Sequence, residues 1–393
     1  MIFVKKISKS CVLVVSIVLL LILKVVSPLM KCQLCIVGFH RYGHLALEPE
    51  IFLAERQLIL RSEKRPKRNF NIWSFGPKKK QANAYLAKKW KQEVFALPSW
   101  LVSGLHSAGM FVDFLKLSEA KLSIRGQLNA LDSSSPILTF SDKEKQRANQ
   151  KLIELGIDPN RPYVCLIVRD GGHYASLGES ESIGYDLLNF DIETFISSAK
   201  YLVKEGFQVV RMGSGSEKTI SELPSGVIDY AHSPMRSEFL DVFIAATCTF
   251  AVSTQTGPDA VCMAFRRPVL YVDVTRYSQF FFGMKAATWT PVRMARNGKI
   301  IPFSEIISSD IPWYKDPNEF ALSGITQIKS SPGELLQIVK SYVECFRGSA
   351  ELTDRLSLQV AEKLGERSRQ QFGQISARSI PGLSEILGDW VNN

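Results

Sequence analysis

The sequence has little of what a metal-binding or disulfide-stabilised protein needs. Its seven cysteines are scattered along 393 residues, and Cys32 with Cys35 forms the only C-x-x-C pair. No second pair follows, and no histidine lies at a metal-type spacing from this one. We therefore expect neither zinc nor redox chemistry at this pair, and we predict free buried thiols in a reducing compartment.

Familiar phosphate-binding and nucleic-acid-binding motifs are also absent. The sequence contains no G-x-G-x-x-G, and the stretch GSGSEKT that starts at Gly213 does not have the spacing of G-x-x-x-x-G-K-[ST]. No nucleic-acid-binding motif accompanies the basic residues. A P-loop and a nucleic-acid partner are therefore not predicted.

Composition and charge indicate a globular protein whose first third is strongly basic. The chain is 46% hydrophobic and 22% charged, and its length suits two domains. Residues 1–150 contain 24 Lys and Arg against 10 Asp and Glu, whereas the remainder contains 24 against 28. This asymmetry predicts that the first third faces an anionic surface, either membrane lipid or a polyanionic acceptor.

Apolar and basic residues meet at the N-terminus. Three lysines precede an uncharged run, Cys11–Leu23, and Lys24 follows it. The run is short for a transmembrane helix, although it approaches spanning length when it is extended to Met30. Three interpretations stay open: a helix at the membrane surface, a spanning signal anchor and a buried core helix. We favour a membrane-associating surface helix within residues 1–30.

Two further basic runs suggest a second lipid-facing region. Arg61–Arg68 and Lys78–Lys91 lie beside four aromatic residues, which are Trp73, Phe75, Tyr85 and Trp90. Such charge is typical of a solvated face, but the neighbouring aromatic residues also fit an interfacial surface that contacts lipid.

Apolar runs bounded by turn residues predict parallel strands that alternate with helices, and therefore an α/β protein. Gln33–Phe39 reads as the first strand, and Ile51–Leu60 reads as a helix after a connecting loop. His44 lies in that loop, at the strand edge where open α/β sheets place their chemistry. Histidine titrates near neutral pH, so His44 is a candidate general base; the alternative is that it only caps the helix.

A second sheet is predicted after a turn at residues 158–160. Tyr163–Val168 reads as its first strand and delivers Arg169 to the carboxyl end, where a guanidinium group can bind phosphate oxygens. Arg211 and Asp229 end later strands of the same predicted sheet. We expect domains at residues 31–158 and 159–330, and C-terminal helices at residues 331–393.

The stretch Cys248–Asp273 carries the strongest local pattern in the chain. It reads as a buried strand to Ser253, a polar loop Thr254–Asp259, a short helix Ala260–Arg266 and a second strand. The first N–H groups of such a helix lack partners within the helix and carry partial positive charge. The loop therefore predicts a diphosphate site, with an ordinary strand–helix connection as the alternative.

Several of these stretches resemble one protein family. RYGHLALEPE (Arg41–Glu50), VVRMG (Val209–Gly213) and the run Ser237–Pro258 resemble bacterial glycosyltransferases of surface-polysaccharide type. Thr256–Pro268 is similar to the donor loop of heptosyltransferases. The resemblance covers residues 33–340 and implies a GT-B architecture, in which two Rossmann-like domains face a cleft.

The resemblance implies a glycosyltransferase that moves a sugar from a nucleotide-sugar donor to a glycan or lipid-linked acceptor. The expected setting is surface polysaccharide or lipopolysaccharide synthesis at the cytoplasmic face of the membrane, by a peripheral or N-terminally anchored enzyme. Metal-dependent relatives of GT-A type carry an Asp-x-Asp triplet, and none occurs here. We therefore expect an inverting reaction without metal or other cofactor.

The resemblance also implies site residues. Heptosyltransferases place a catalytic aspartate after the glycine of the first loop; here His44 follows Gly43 and takes the base role by position, with Glu48 or Glu50 as substitutes. The expected donor-binding residues are the strand-end groups and loop residues of the second half: Arg169, Arg211, Asp229, Ser253, Thr254, Gln255, Thr256, Gly257, Pro258 and Asp259. No residue is expected to bind a metal.

Two alternatives stay open. A nucleotide-sugar epimerase could share the architecture, but it would not need a lipid-facing acceptor domain. A non-catalytic nucleotide-binding subunit could keep the fold after losing its base, and the histidine at position 44 leaves this possible.

Overall fold

The protein is described from a computed structural model that covers residues 9–61, 69–124, 129–171, 189–216, 218–220, 222–281, 283–314, 317–372 and 376–391. The chain divides into two compact units, Met1–Ile124 and Arg125–Asn393. Each unit has its own parallel sheet, and each is described by itself.

The first unit contains a three-stranded parallel sheet with helices around it. Its elements in chain order are α1 (Lys9–Val26), β1 (Lys31–Ile36), α2 (Tyr42–Arg61), β2 (Asn69–Ser74), α3 (Ala84–Glu93), α4 (Ser99–Phe111) and β3 (Ser118–Glu119). The strand order is β2-β1-β3. Helix α2 begins at Tyr42, so most of the predicted loop Arg41–Glu50 is helical, with Pro49 inside the helix.

Helix α1 packs against α4 by one face. Ser16, Leu20 and Leu23 are buried, and a Cβ at Gly104 of α4 would lie 2.3 Å from the Ser16 Oγ. The absence of a side chain at Gly104 therefore permits the close approach of the two helices. None of the helices in the described ranges has the length and apolarity needed to cross a bilayer, so the spanning interpretation of the N-terminal helix is not supported. The favoured surface helix stays a prediction.

Of the four aromatic residues predicted to face lipid, three are buried and Tyr85 is half-buried. Trp73, Phe75 and Trp90 are buried in the first unit, and Trp73 stacks on Phe75 at 6.1 Å between ring centroids. The prediction was wrong because proximity in sequence to basic residues does not indicate which face of β2 or α3 a side chain occupies. Of the basic run Arg61–Arg68, residues 62–68 lie outside the described part of the chain.

The second unit is built around a six-stranded parallel sheet. Its strands are β4 (Tyr163–Ile167), β5 (Gln208–Met212), β6 (Val227–Asp229), β7 (Phe250–Ser253), β8 (Val269–Val274) and β9 (Ala287–Pro291). The strand order is β6-β5-β4-β7-β8-β9. The sheet therefore grows outward in both directions from β4 and β7, which is a doubly wound arrangement.

Helices α5–α9 connect these strands or precede them. They are α5 (Asn129–Asp132), α6 (Asp142–Glu154), α7 (Ile196–Lys204), α8 (Glu238–Thr247) and α9 (Asp259–Ala264). Every residue of β4 and β5 is buried, as expected for central parallel strands covered on both faces. The predicted α/β class with parallel sheets is confirmed.

A small antiparallel sheet and the C-terminal helices complete the second unit. The sheet has the order β11-β10-β12, from Arg293–Arg296 (β10), Lys299–Ile300 (β11) and Ile325–Ile328 (β12). The helices are α10 (Phe303–Ser308), α11 (Pro317–Leu322), α12 (Pro332–Phe346), α13 (Arg355–Phe372) and α14 (Leu383–Leu387). Backbone bonds between Arg378 and the β9 residues Ala287 and Trp289 tie the C-terminal segment to the sheet edge.

The boundary between the units lies upstream of the one expected at residues 158–159. Arg266 donates to the carbonyl oxygen of Leu131 at 2.8 Å, and Gln208 accepts from the Asp158 N–H at 2.8 Å. These bonds join residues 129–158 to the second sheet. Because they connect residues 50 to 135 positions apart, a turn signal in the sequence does not reveal them.

All seven cysteines are free, and Cys32 and Cys35 are buried on β1. This confirms the predicted free thiols. Among the described residues no group of three or more histidine, cysteine, aspartate or glutamate side chains is placed to hold a metal ion.

Candidate functional site

The first unit forms a histidine–carboxylate pair at the carboxyl end of β1. His44 Nδ1 lies 2.7 Å from Glu48 Oε1, and Glu48 Oε2 accepts the Gly38 N–H at 2.7 Å. His44 and Glu48 are one turn apart on α2, so their side chains share a face. The carboxylate therefore links the helix to the loop that follows the strand.

Gly38 makes room for this pair. A Cβ at residue 38 would lie 2.9 Å from the Cβ of His44, closer than real Cβ atoms approach a neighbour. The His44 side chain is 29% exposed, whereas that of Glu48 is 8% exposed. The imidazole is thus bonded through Nδ1 to a buried carboxylate, while its side chain as a whole is partly exposed.

This geometry sets the proton arrangement of His44. An ionised Glu48 accepts a hydrogen bond from Nδ1–H, which leaves the lone pair of the neutral ring on Nε2. Nε2 can then take a proton from a bound hydroxyl group. Both carboxylate oxygens of Glu48 are engaged, by His44 Nδ1 and by the Gly38 N–H, and Glu50 is fully buried.

In the second unit, the loops after β4 and β7 meet where the strand order changes direction. The Thr254 N–H donates to the Ile167 carbonyl at 3.2 Å, and the Thr254 Oγ1 accepts the Arg169 N–H at 2.9 Å. The sequence predicted both loops as donor-binding segments, and the structure brings them into direct contact. Ligands of open α/β sheets bind at such a switch point.

The buried side chain of Asp259 holds the loop after β7 in place. Its Oδ2 accepts the Ser253 hydroxyl at 2.6 Å and the Thr256 N–H at 2.8 Å. Asp259 is 3% exposed, and burial raises the pKa of its carboxyl to about 7, opposed by these hydrogen bonds. Ser253 and Asp259 are therefore bonded to each other and, through the Thr256 N–H, hold the shape of the loop.

The predicted free N–H groups at the start of the next helix are only partly present. The N–H groups of Asp259, Ala260 and Val261 donate to the carbonyl oxygens three residues earlier, and Pro258 has no N–H. Helix α9 is also only six residues long, which limits its dipole. Of the loop N–H groups, those of Gln255 and Gly257 make no hydrogen bond within the described part of the chain and could donate to a ligand.

Gln255 adopts a backbone conformation that is unusual for its residue type. Its φ is 58°, in the left-handed region of backbone conformation, which residues other than Gly, Asn and Asp rarely occupy. The neighbouring hydrogen bonds of Thr254 and Thr256 hold the chain on either side of it. Such strained loop positions are common at ligand sites.

Arg211 has a different environment from the one predicted. Its side chain is 1% exposed, with Nη1 3.1 Å from Asp229 Oδ2 and Nη2 3.7 Å from Asp170 Oδ2. Asp229 Oδ2 also lies 3.0 Å from His232 Nδ1. A buried guanidinium group between two carboxylates organises the strand ends, so we assign Arg211 a positioning role instead of direct contact with phosphate.

One buried carboxyl group was missed from the sequence. Asp273 ends the apolar part of β8, and its oxygens accept the Ser330 N–H and hydroxyl at 2.9 and 2.8 Å. Burial raises the pKa of Asp273 to about 6. A carboxylate directly after the buried run Val269–Val272 was the signal that could have identified it.

Residues 172–188, which follow Arg169 in the sequence, lie outside the described residues.

No family model and no curated protein matches the sequence. Among solved structures, the chain is similar to the ADP-heptose LPS heptosyltransferase II of E. coli, with 16% identity over 69% of this chain and 92% of that chain and a TM-score of 0.40. The glycosyltransferase family 9 protein from Veillonella parvula DSM 2008 shows 11% identity over 62% of this chain and 80% of that chain, with a TM-score of 0.35. The iron-containing dodecameric glycosyltransferase TibC from enterotoxigenic E. coli H10407 shows 15% identity over 62% of this chain and 59% of that chain, with a TM-score of 0.28.

These structural relatives are bacterial glycosyltransferases. The resemblance to heptosyltransferases inferred from the sequence is therefore the one found among solved structures as well. At these identities and TM-scores, the likeness does not assign an activity to this chain.

Proposed function

We propose that the protein is a glycosyltransferase that uses a nucleotide-sugar donor and a glycan or lipid-linked acceptor. The observation that carries the proposal is the switch point of the six-stranded sheet, where Thr254 joins the loops after β4 and β7. This is the position at which doubly wound sheets bind nucleotides. The resemblance of the sequence motifs supports the transferase class. We also propose that the two domains face each other in a GT-B arrangement.

The second unit would bind the donor. Arg169 follows β4 at the switch point, and its guanidinium group is suited to forked contacts with a diphosphate. The N–H groups of Gln255 and Gly257 would donate to the same phosphates. Asp229, at the end of the neighbouring strand β6, would accept a hydrogen bond from the ribose or the base.

His44 of the first unit would act on the acceptor. Its Nε2 removes the proton of an acceptor hydroxyl while the acceptor oxygen bonds to the anomeric carbon of the sugar. The bond from that carbon to the diphosphate breaks on the opposite side, and the nucleoside diphosphate leaves with the electron pair. Direct displacement inverts the anomeric configuration.

We propose that the leaving diphosphate is stabilised without a metal ion. Arg169 supplies a positive charge, and the loop N–H groups supply fixed dipoles where negative charge develops. Asp259 would be partly protonated near neutral pH, because burial raises its pKa to about 7. Its protonated form removes a negative charge from beneath the phosphate-binding loop.

Release of nucleoside diphosphate from a panel of sugar nucleotides, with and without glycan acceptors, tests the proposal. His44→Ala should lower transfer by roughly a hundredfold or more, the usual contribution of a general base. Its affinity for nucleotide should be unchanged, because the nucleotide site belongs to the other unit. His106→Ala is the matched control, since His106 also pairs with a carboxylate, Glu119 at 2.8 Å, but is half exposed.

Full activity in His44→Ala would remove this histidine as the base. Nucleotide binding by the wild-type protein without transfer or hydrolysis for any donor would instead identify a binding subunit and refute the enzymatic proposal. An interconversion of donor sugars without transfer would identify an epimerase.

A further inference from the structure

The first unit has an apolar surface that no described part of the chain covers. It is formed by the outer side of α1 with the turn after it, and by the end of α4 with the turn after that helix. Six of its side chains are Val18, Val25, Leu29, Met110, Phe111 and Phe114, which are between 52% and 81% exposed. We call this surface the α1–α4 apolar face.

The apolar face is held rigidly from behind. The opposite side of α1 packs into a core that includes Leu20, Leu23 and Leu105. Because that side anchors the helix to the unit, the exposed side cannot turn inward without breaking the core. Contiguous exposed apolar surface of this kind marks an interaction site.

Three lysines border the apolar face and line a cavity of ≈ 350 Å³ beside it. Lys24, Lys31 and Lys116 surround this cavity, together with residues that include Leu29 of the apolar face. The Lys24 Nζ also lies 5.0 Å from the ring centroid of Phe114. Lys24 of the cavity and Phe114 of the apolar face are therefore in direct contact.

The first unit as a whole is strongly basic. Residues 1–124 contain 20 Lys and Arg against 7 Asp and Glu. Of the nearby carboxylates, Glu119 is engaged by His106 at 2.8 Å, and Asp113 is exposed on the turn that carries Phe114. The lysine cavity is thus complementary to anionic phosphate groups, whereas the apolar face is complementary to acyl chains.

We propose that this composite surface docks on an anionic phospholipid bilayer, with lipid phosphate groups in the lysine cavity. The apolar face enters the boundary between headgroups and acyl chains, and the lysines bind the phosphates above it. Shallow apolar insertion and electrostatic attraction together give stable binding, whereas either one alone binds weakly. The proposal goes beyond the transferase activity and does not depend on it.

Cosedimentation of the full chain with vesicles tests the lysine cavity. The vesicles contain phosphatidylcholine alone or phosphatidylcholine mixed with phosphatidylglycerol. Replacement of Lys24, Lys31 and Lys116 by Gln should weaken binding to the anionic vesicles by roughly a hundredfold, about fivefold for each lysine near the surface. The matched control carries the same charge change at Lys78–Lys80, which form an exposed turn without buried residues, and should bind nearly as wild type does.

Fluorescence quenching tests the apolar face with a conservative change. Phe114→Trp should be quenched by brominated phosphatidylcholine in anionic vesicles, after subtraction of the signal of the parent protein. Leu322→Trp, at an exposed apolar position of the second unit, should show no added quenching.

Equal loss of vesicle binding in the two lysine triple variants would refute the lysine cavity as the headgroup site. Absence of quenching at Trp in position 114 would refute insertion of the apolar face. A wild-type protein that forms dimers and binds neither kind of vesicle would show that a second copy covers this face, which also overturns the proposal.

Discussion

Replacing Asp259 by asparagine should remove a strong pH dependence of stability. The carboxyl group is 3% exposed, and burial raises its pKa from the ordinary value of 3.8 to about 7. Its Oδ2 accepts both the Ser253 hydroxyl and the Thr256 N–H. An asparagine Oδ1 can accept the same two bonds, so the substitution imitates the protonated acid without its titration.

The raised pKa of Asp259 determines how its contribution to stability changes with pH. The unfolded chain loses this proton near pH 4, whereas the folded protein keeps it until about pH 7. Folding therefore takes up a proton between these values, and the contribution of Asp259 to stability, full below pH 4, falls as the pH rises. The slope is about 1.4 kcal/mol per pH unit, and the loss between pH 5 and pH 8 is about 2.5 kcal/mol.

Urea unfolding of wild type and Asp259→Asn at pH 5 and pH 8, followed by circular dichroism, measures this effect. The unfolding free energy of the variant minus that of wild type should be about 2–3 kcal/mol larger at pH 8 than at pH 5. Other groups, including Asp273 with its pKa of about 6, titrate equally in both proteins and cancel. Asp142→Asn, at a fully exposed side chain, should show no such shift. A difference that stays constant within about 0.5 kcal/mol over this range would refute the buried-acid interpretation.

Two further substitutions test the organisation of each unit. Arg211→Met should lower the unfolding free energy in urea by about 3–5 kcal/mol, because it leaves the carboxylates of Asp170 and Asp229 without their buried partner. Gly38→Ala should lower transfer at least about tenfold with unchanged nucleotide affinity, since the new Cβ displaces His44 from the position that Glu48 sets.

Each of these has a matched control. Arg296→Met removes an exposed ion pair with Glu305 and should cost less than about 1 kcal/mol; an equal cost for both arginines would contradict the role of burial. Gly333→Ala adds a methyl group 4.0 Å from the Ser331 Oγ, an ordinary van der Waals contact, and should leave transfer unchanged. Normal transfer by Gly38→Ala would show that the exact placement of His44 does not matter.

Local patterns in the sequence predicted most strands of the second sheet. The apolar runs near Tyr163–Ile167, Gln208–Met212 and Val269–Val274 are bounded by turn residues and lie at or near their predicted positions. They are predictable because central parallel strands are buried on both faces and need continuous apolar residues. The helix Pro332–Phe346 is the first of the C-terminal helices expected from residue 331 onward, and it begins after the Ser331 cap with a proline.

The start of helix α2 shows where local patterns mislead. The glycine in HRYGHLALEPE suggested a loop, but the chain is helical from Tyr42 onward, with Pro49 inside the helix. Only this early start places His44 and Glu48 one turn apart and on one face. Had the helix been expected to begin there, the pair would have been visible in the sequence at the spacing i, i+4.

What the sequence by itself determined is the alternation of strands and helices, the basic first third and the candidate groups at strand ends. Only the tertiary structure decided the strand order, the burial of Arg211 between Asp170 and Asp229, and the contact of Thr254 with Arg169. The reason is that local conformation depends on neighbouring residues, whereas these contacts join residues as many as 85 positions apart. Their partners are set by the packing of the whole sheet, and no short pattern encodes them.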